Sequence, residues 1–464
     1  MAKYLWFMSR KALLTIFLMI FALITPTASF AAPKAGASCP KAGISESLGN
    51  KRFTCIKSGK KLIWNKGVSV AKPLGAPSAP SPNPTPESSK ETVTVYPVTS
   101  RDSFSKLETC MIKTTLTGSE GVGFPRSSTA IPSLGTVKGV TLFVEFPDLK
   151  DDGNPLRVWR TQQVPTAEQY YKTASYGKLV FKVDLVEKVY VINKSVLTYN
   201  LDTHHDAPAK PNAKPWELVL DAMTAADSDV DFSKYDYVNV VTPATTMIGF
   251  EGAIGLQHTY DGKLMQRATF GPIREYVDSP PKYNWLVHET GHLLGLLHPY
   301  SYKNPGYVIP TWDLMGDSPT ENPEFLAWHK FLLGWLDAGQ VNCIDSKSTS
   351  NSTHLISPLS DNGPGVKTTI VKLSETQALV LENRRKSSLN AIEENQAGVV
   401  AYLVDGTVKP GEGAVTILFA KFTATRQNRL IGTLKPGESI KHQNVTVKVL
   451  SSTGPGDYVS VVID

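Results

Sequence analysis

The sequence predicts an α+β chain in three parts: a small disulfide-stapled module, a mixed α+β domain, and a β-sandwich-like domain at the end. Three observations predict it. A Pro/Ser-rich stretch isolates a short segment carrying two cysteines, residues 101–343 mix strand-period and helix-period runs, and from Ile344 onward only strand-period runs occur. The 464 residues are 41% hydrophobic and 19% charged, which excludes a disordered or collagen-like chain. A net charge of +6 is too small to point to nucleic acid, and none is expected as a partner.

The elements follow in order. Residues 1–31 read as a secretory signal peptide. Lys3, Arg10 and Lys11 precede an apolar run over 12–24, and Ala31 and Ser29 place small residues at the −1 and −3 positions of a cleavage site. The run falls short of the roughly 20 residues a membrane span needs, and no later run reaches that length. A secreted mature chain without a transmembrane anchor is the expectation.

Residues 32–67 form a basic Cys-pair module. An exported chain meets an oxidising compartment, so Cys39 and Cys55 are expected to pair. A segment this short needs the staple, because it cannot bury a core unaided. Its cysteines and its Gly59-Lys60-Lys61-Leu62-Ile63-Trp64 run resemble a short module found on exported actinobacterial proteins. Residues 33–72 hold nine Lys/Arg against Glu46 alone. With Phe53 and Trp64 as stacking surfaces, this head is expected to attract an anionic cell-envelope polymer; a pro-segment is the competing reading. Residues 68–100 are the linker. Prolines at 73, 77, 80, 82, 84 and 86 favour an extended, polyproline-like spacer.

Over 101–343 the patterns predict a strand at 140–146, a helix at 166–174, one long strand or a hairpin at 178–191, a helix at 215–226 and a buried strand at 237–241. Asn322 as cap and Pro323 in the first turn announce a further helix, with Leu326, Trp328, Leu332, Leu333 and Trp335 on a wide apolar surface. His329 within it reads as structural. Over 344–464, strands are expected at 366–373, 377–383, 399–404, 414–420, 444–450 and 457–463.

Chemistry is carried by Leu286-Val287-His288-Glu289-Thr290-Gly291-His292-Leu293-Leu294-Gly295-Leu296-Leu297-His298. His288 and His292 stand four apart, so on a helix they project from one face, and two neutral imidazoles there can grip one zinc ion. Gly295 can take positive φ and end the helix. The chain then turns back, and His298 can supply a third ligand. Three protein ligands leave one zinc position open, as in a catalytic rather than a structural site. Glu289 beside them is the candidate general base. An amphipathic core helix with incidental histidines is the bland alternative.

This segment resembles the zinc signature of the metzincin clan of metallopeptidases. Trp312-Asp313-Leu314-Met315-Gly316-Asp317 is similar to that clan's Met-turn, which implies that Met315 forms an apolar floor beneath the imidazoles and is not a ligand. Ser175-Tyr176-Gly177-Lys178-Leu179, Phe146-Pro147-Asp148, Leu333-Gly334-Trp335-Leu336, Leu381-Glu382-Asn383-Arg384 and Val399-Val400-Ala401-Tyr402-Leu403-Val404-Asp405 narrow the likeness. Together they resemble the immune inhibitor A-type secreted metallopeptidases, over a span of about 105–405. The resemblance implies a metzincin-like zinc-protease domain at 101–343. It implies an endopeptidase that cleaves proteins or peptides with one catalytic Zn2+, an activated water and Glu289 as base.

Two departures stand out. Many relatives have Leu-Pro-Asp after the motif glycine, where this chain has Leu296-Leu297-His298-Pro299; His298 follows the metzincin pattern. Some metzincins carry a substrate-contacting Tyr two residues after the Met. This chain has Asp317 there, which leaves Tyr300, Tyr302 or Tyr307 as replacements. A non-catalytic, zinc-containing surface-binding protein and a zinc amidase acting on cell-wall peptides are the rival readings.

Weaker signals remain. His204-His205-Asp206 reads as a solvated loop. Asp227, Asp229 and Asp231 mimic the start of a calcium loop without its Gly and Glu, and Asp148, Asp151, Asp152 and Asn154 form a second acidic turn; Ca2+ is a minor expectation at either. Cys110 and Cys343 bracket the mixed domain and are expected to pair. The alternative is a free Cys110 thiol near the cleft that keeps the enzyme latent.

Overall fold

The computed structural model describes residues 34–39, 41–48, 51–69, 94–118, 120–202, 210–243, 245, 247–248, 252–272, 285–303, 312–316, 323–392, 394–420 and 432–464. The signal-peptide reading of 1–31, the proline-rich stretch, His204-His205-Asp206, Tyr307, Asp317 and the Asn322 cap lie outside these residues. The chain divides into two units, Met1–Lys90 and Glu91–Asp464.

In the first unit, β1 (Ser45–Leu48), β2 (Lys51–Ser58) and β3 (Lys61–Trp64) form an antiparallel meander, and β4 (Val68–Ser69) adds to β2. Cys39 and Cys55 are disulfide-bonded. Their staple, with Phe53 and Trp64, makes the unit's whole buried cluster. Trp64 is only 2% exposed and Phe53 8%, so neither is the stacking surface the sequence suggested. A unit this small spends its few large side chains on its own core. Its described Lys and Arg (34, 41, 51, 52, 57, 60, 61 and 66) are all exposed.

The second unit begins with a five-stranded sheet. Its strands are β5 (Gly135–Glu145), β6 (Leu179–Val191), β7 (Tyr237–Thr242), β8 (Gly252–Tyr260) and β9 (Lys263–Pro272), in the order β6-β5-β7-β9-β8. Every pairing is parallel except β8 with β9. The period-two run at 178–191 is thus one long strand. The β8–β9 hairpin, which the sequence reading missed, turns on Asp261 (φ 49°) and Gly262 (φ 77°), the two left-handed positions of a tight hairpin loop.

Helices cover both faces of the sheet. On one side α1 (Asn154–Val158) continues through a π turn into α2 (Val164–Ala174); α3 (Pro215–Ala226) lies on the other. Val140, Leu142 and Val144 of β5 pack on Leu218, Val219, Ala222 and Met223 of α3. Val137 and Phe143 pack instead with Tyr171 of α2 and with Leu286 and Val287 of α4 (Trp285–Leu293). Buried on both faces, β5 and β7 read as continuous apolar runs, whereas the edge strand β6 alternates.

The helix expected from Asn322 and Pro323 begins only at α5 (Ala327–Leu332). The four residues before it spend their main chain elsewhere. Pro323 O accepts from Tyr170 Oη at 2.6 Å, Glu324 N donates to Leu389 O at 2.8 Å, and Phe325 O accepts from Arg384 at 3.0 Å.

Two sheets then face each other. The first runs β10-β12-β13-β14-β15, with β16 on β14; the second runs β11-β19-β18-β17. In chain order the strands are β10 (Val341–Asp345), β11 (Ser350–Ile356), β12 (Thr368–Lys372), β13 (Gln377–Arg384), β14 (Gly398–Asp405), β15 (Val415–Leu418), β16 (Thr433–Leu434), β17 (Ser439–His442), β18 (Val445–Ser452) and β19 (Asp457–Ile463). Leu379 and Leu381 of β13 meet Val447 and Val459 of the second sheet. Ala378 and Val380, on the opposite face of β13, pack with Trp328 and Phe331 of α5. The sheet therefore shares a core with the helical part. Residues 94–100, the end of the expected linker, join this body: Thr99 N donates to Thr353 O at 2.9 Å and Thr353 N to Thr99 Oγ1 at 2.9 Å.

Cys110 and Cys343 are disulfide-bonded across a sequence separation of 233, so Cys110 is not a free thiol available to a metal. Among the described residues, no helix is long and apolar enough to cross a membrane.

Candidate metal centre

The helix that carries the first two histidines is anchored at both ends. In its first turn Leu286 N donates to Gln163 Oε1 at 3.0 Å. At its other end Gly295 takes φ 85°, and the pair Gly295 N to His292 O (2.8 Å) and Leu296 N to Gly291 O (3.1 Å) is a Schellman cap. Arg126 Nη1 holds Leu294 O at 3.0 Å, and Ile131 N holds Leu293 O at 2.9 Å. The predicted helix stop at Gly295 is therefore met, and the chain reverses to bring His298 back.

His288, His292 and His298 come together. His298 Nε2 lies 3.0 Å from His288 Nε2 and 3.1 Å from His292 Nε2. The other ring nitrogens are engaged: His288 Nδ1 with Leu314 O at 3.0 Å, His292 Nδ1 with Leu296 O at 2.8 Å, and His298 Nδ1 with Tyr302 Oη at 2.7 Å. A carbonyl only accepts, so His288 and His292 carry protons on Nδ1, and His288, kept neutral by burial, turns a bare Nε2 lone pair toward His298. Three Nε2 atoms that face one another at this distance can share a single cation. Three nitrogens at about 2.0–2.1 Å from one tetrahedral zinc stand about 3.3 Å apart, within a few tenths of what is seen. Among the described residues this is the one group of three such side chains close enough to hold a metal.

The electrostatics divide the three rings: without a metal His288 and His298 are neutral, whereas His292 holds an extra proton that a cation would displace. Burial pushes His288 down to about 3 and His298 down as well. Burial opposes protonation of His292 too, but the Glu120 carboxylate overrides it and lifts that ring to about 9. Glu120 Oε2 stands 3.3 Å from His292 Nδ1, and Glu120 Oε1 is 3.5 Å from Arg267, which also donates to His292 O. Glu120 and Arg267 thus form an outer shell around His292 that the sequence reading missed. A lone Glu and a lone Arg, far apart in the chain and from the motif, give no signal.

Glu289 is buried on the same helix. Burial pushes its carboxyl up to about 7, against the opposing pull of His292. Gly252 passes close by, since a Cβ there would lie 3.3 Å from Glu289 Oε2.

Met315 is buried under the helix at Gly291, where any Cβ would lie 2.2 Å from Met315 Sδ. Its turn is fixed from within by Asp313, whose Oδ1 accepts from Met315 N at 2.7 Å. Asp313 Oδ2 accepts from Leu326 N at 2.6 Å and pairs with His329 Nδ1 at 2.8 Å. His329 is structural, as read. From the β-sheets, Arg384 Nη2 donates to Trp312 O at 2.6 Å while its Nε pairs with Glu382. Glu382 in turn accepts from Ala327 N at 2.6 Å and from Tyr402 Oη at 2.7 Å. This wholly buried network ties the turn to the first sheet.

In neither acidic turn do three acids come together. Asp229 pairs with Lys188 at 2.6 Å, and Asp231 accepts from Ser233 N at 3.1 Å. Asp148 accepts from Val196 N at 3.0 Å, while Asp151 and Asp152 bind amides of their own loop. Their oxygens diverge onto separate partners, and no three of these acids converge.

Fold and site together define an α+β protein with a three-histidine cluster of metal-binding geometry. No family model matches the chain, and no curated protein matches it.

Proposed function

We propose that this chain is a secreted, zinc-dependent endopeptidase. The observation that carries the reading is the convergence of three Nε2 atoms, each on a ring whose other nitrogen is engaged, next to a buried carboxylate whose proton affinity sits near neutrality. A mostly parallel sheet with one antiparallel edge strand, and a methionine turn beneath the helix, fit the metzincin-like pattern. The two disulfides suit an oxidising, extracellular setting.

His288, His292 and His298 would hold the zinc ion. When bound, zinc supplies Lewis acidity, which acidifies a water and polarises a carbonyl. Glu289 accepts a proton from the attacking water and delivers it to the departing amine nitrogen. A carboxyl poised near 7 can do both, whereas an exposed glutamate near 4.3 returns protons poorly. The Leu314 and Leu296 carbonyls keep two imidazoles in the tautomer that leaves Nε2 free. A purely structural zinc site has no use for a base beside the ligands.

Incubation with an unfolded protein substrate tests this. Cleavage that stops with chelator and returns with zinc is expected. Zinc-loaded protein that cuts no protein or peptide would favour a non-catalytic binding protein, and turnover of cell-wall peptides alone would favour an amidase.

The basic head is read as an electrostatic holdfast for an anionic cell-envelope polymer. Among the described residues its Lys and Arg are exposed with Glu46 as the one acid, and both Phe53 and Trp64 are buried. Such attraction weakens with salt. Deleting 33–90 should leave peptide turnover unchanged and lower retention on cells at low salt. Equal retention would sink the holdfast, and a rise in turnover would identify a pro-segment.

A further inference from the structure

We infer that Tyr302 is the positioning residue of the third ligand, and that the turn before β15 puts it in place. The inference rests on the metal reading of the histidine cluster. His288 and His292 sit on one rigid helix, and each has its outer nitrogen fixed by a main-chain carbonyl. His298 lies beyond the helix cap, and its Nδ1 meets a side chain instead, Tyr302 Oη at 2.7 Å.

The helix holds the loop that carries His298 only as far as Leu296, through Gly291 O and His292 Nδ1. The main chain beyond it is docked on the β-sheet part. Val415 N donates to Pro299 O at 3.1 Å, Tyr302 N donates to Gly411 O at 2.8 Å, and Ser301 bridges Glu412 in antiparallel fashion. The tyrosine ring passes directly over Gly411, where φ is 75° and a Cβ would lie 2.2 Å from the ring. Tyr302 is 58% exposed, so no core holds its hydroxyl in position; the bare backbone at Gly411 does.

The proton count follows. With Nε2 turned to the metal, His298 Nδ1 carries the proton and donates it to Tyr302 Oη, and the phenol directs its own proton outward. Tyr302 thus fixes the ring orientation of His298 and accepts the Nδ1 proton of the form that turns Nε2 to the metal. Outer-shell partners of this kind are worth about 10- to 100-fold in metal affinity. The β-sheet part is then not an appendage: without it the centre keeps two ordered ligands and a loose third.

The test uses the full chain and zinc alone, titrated in competition with a chelating dye. Tyr302→Phe should bind zinc about 10- to 100-fold more weakly while the zinc-free protein keeps its melting temperature. Gly411→Ala should weaken zinc at least as much, because it displaces the ring. Parent-like zinc affinity in Tyr302→Phe would overturn the inference, and that variant removes one exposed oxygen and does not threaten folding. A parent protein that binds no zinc would overturn the metal reading itself, and the parent titration reads that separately.

Discussion

Gly291→Ala probes the floor of the centre. A Cβ at this position would lie 2.2 Å from Met315 Sδ and 3.1 Å from Met315 Cε. Comfortable non-bonded separations are about 3.5–4.0 Å, so the sulfur must retreat by about 1.5 Å. Met315 is wholly buried, its amide is held by Asp313, and the preceding carbonyl, Leu314 O, orients His288. Overpacking of this kind costs about 1–3 kcal/mol. Removing a glycine from a helix returns about 0.5–1 kcal/mol, so the net loss of stability should be about 1 kcal/mol. The larger effect falls on the metal. A displaced Leu314 carbonyl loosens the His288 ring, and zinc affinity should fall about 10-fold or more. Zinc competition and urea unfolding on the same preparation measure both terms. The double variant Gly291→Ala/Met315→Ala vacates the contested volume and should regain much of the affinity. A single variant that binds zinc like the parent would refute the reasoning, as would a double variant no better than the single one.

Arg384→Met should destabilise the folded chain by about 3–5 kcal/mol in urea unfolding, since it leaves the buried Glu382 carboxylate without its cation. Adding Glu382→Gln should cost less than the sum of the two single changes; simple additivity would contradict the network. His354 reports on pH. Burial pushes it down to about 4, with Asn342 Nδ2 at 3.0 Å, Ser352 Oγ at 2.9 Å and the Phe104 ring stacked on it. The unfolded chain therefore takes up the proton first as pH falls below about 6.5, and stability present above that pH is lost on the way to 4, by about 3 kcal/mol. His354→Gln should flatten that slope in melts between pH 7 and 4.5, and an unchanged slope would reassign it. Glu120→Gln should weaken zinc about 10-fold through His292 and also lower the melting temperature, because buried Arg267 loses its carboxylate; unchanged affinity would remove Glu120 from the outer shell.

The parts legible in the sequence are those where local pattern and tertiary role coincide. The spacing of His288, His292 and His298 and the break at Gly295 were readable because helix periodicity and a positive-φ glycine are local facts. So were the apolar runs of β5, β7, β13 and β14, which are buried on both faces. The β8–β9 hairpin carried its signal in Asp261-Gly262, a strong tight-turn pair that the alternation around it did not reinforce. The late start of α5 was not legible, because Tyr170, Leu389 and Arg384, which claim the backbone of 323–325, come from distant segments. Arg384 stands within a run that the sequence singles out, yet its grip on Trp312 O depends on sheet packing alone. Trp64 and Phe53 were misread as surface because a thirty-residue unit offers few alternatives for a core.

The most direct measurement is a paired one on Glu289→Gln: zinc bound per chain, and turnover of an unfolded protein substrate, each beside the parent. The amide keeps the shape and leaves all three imidazoles in place, but it cannot take a proton from water. One zinc per chain in both proteins, with turnover lost in the variant, is the expected result. Near-parental turnover by the variant would contradict the account.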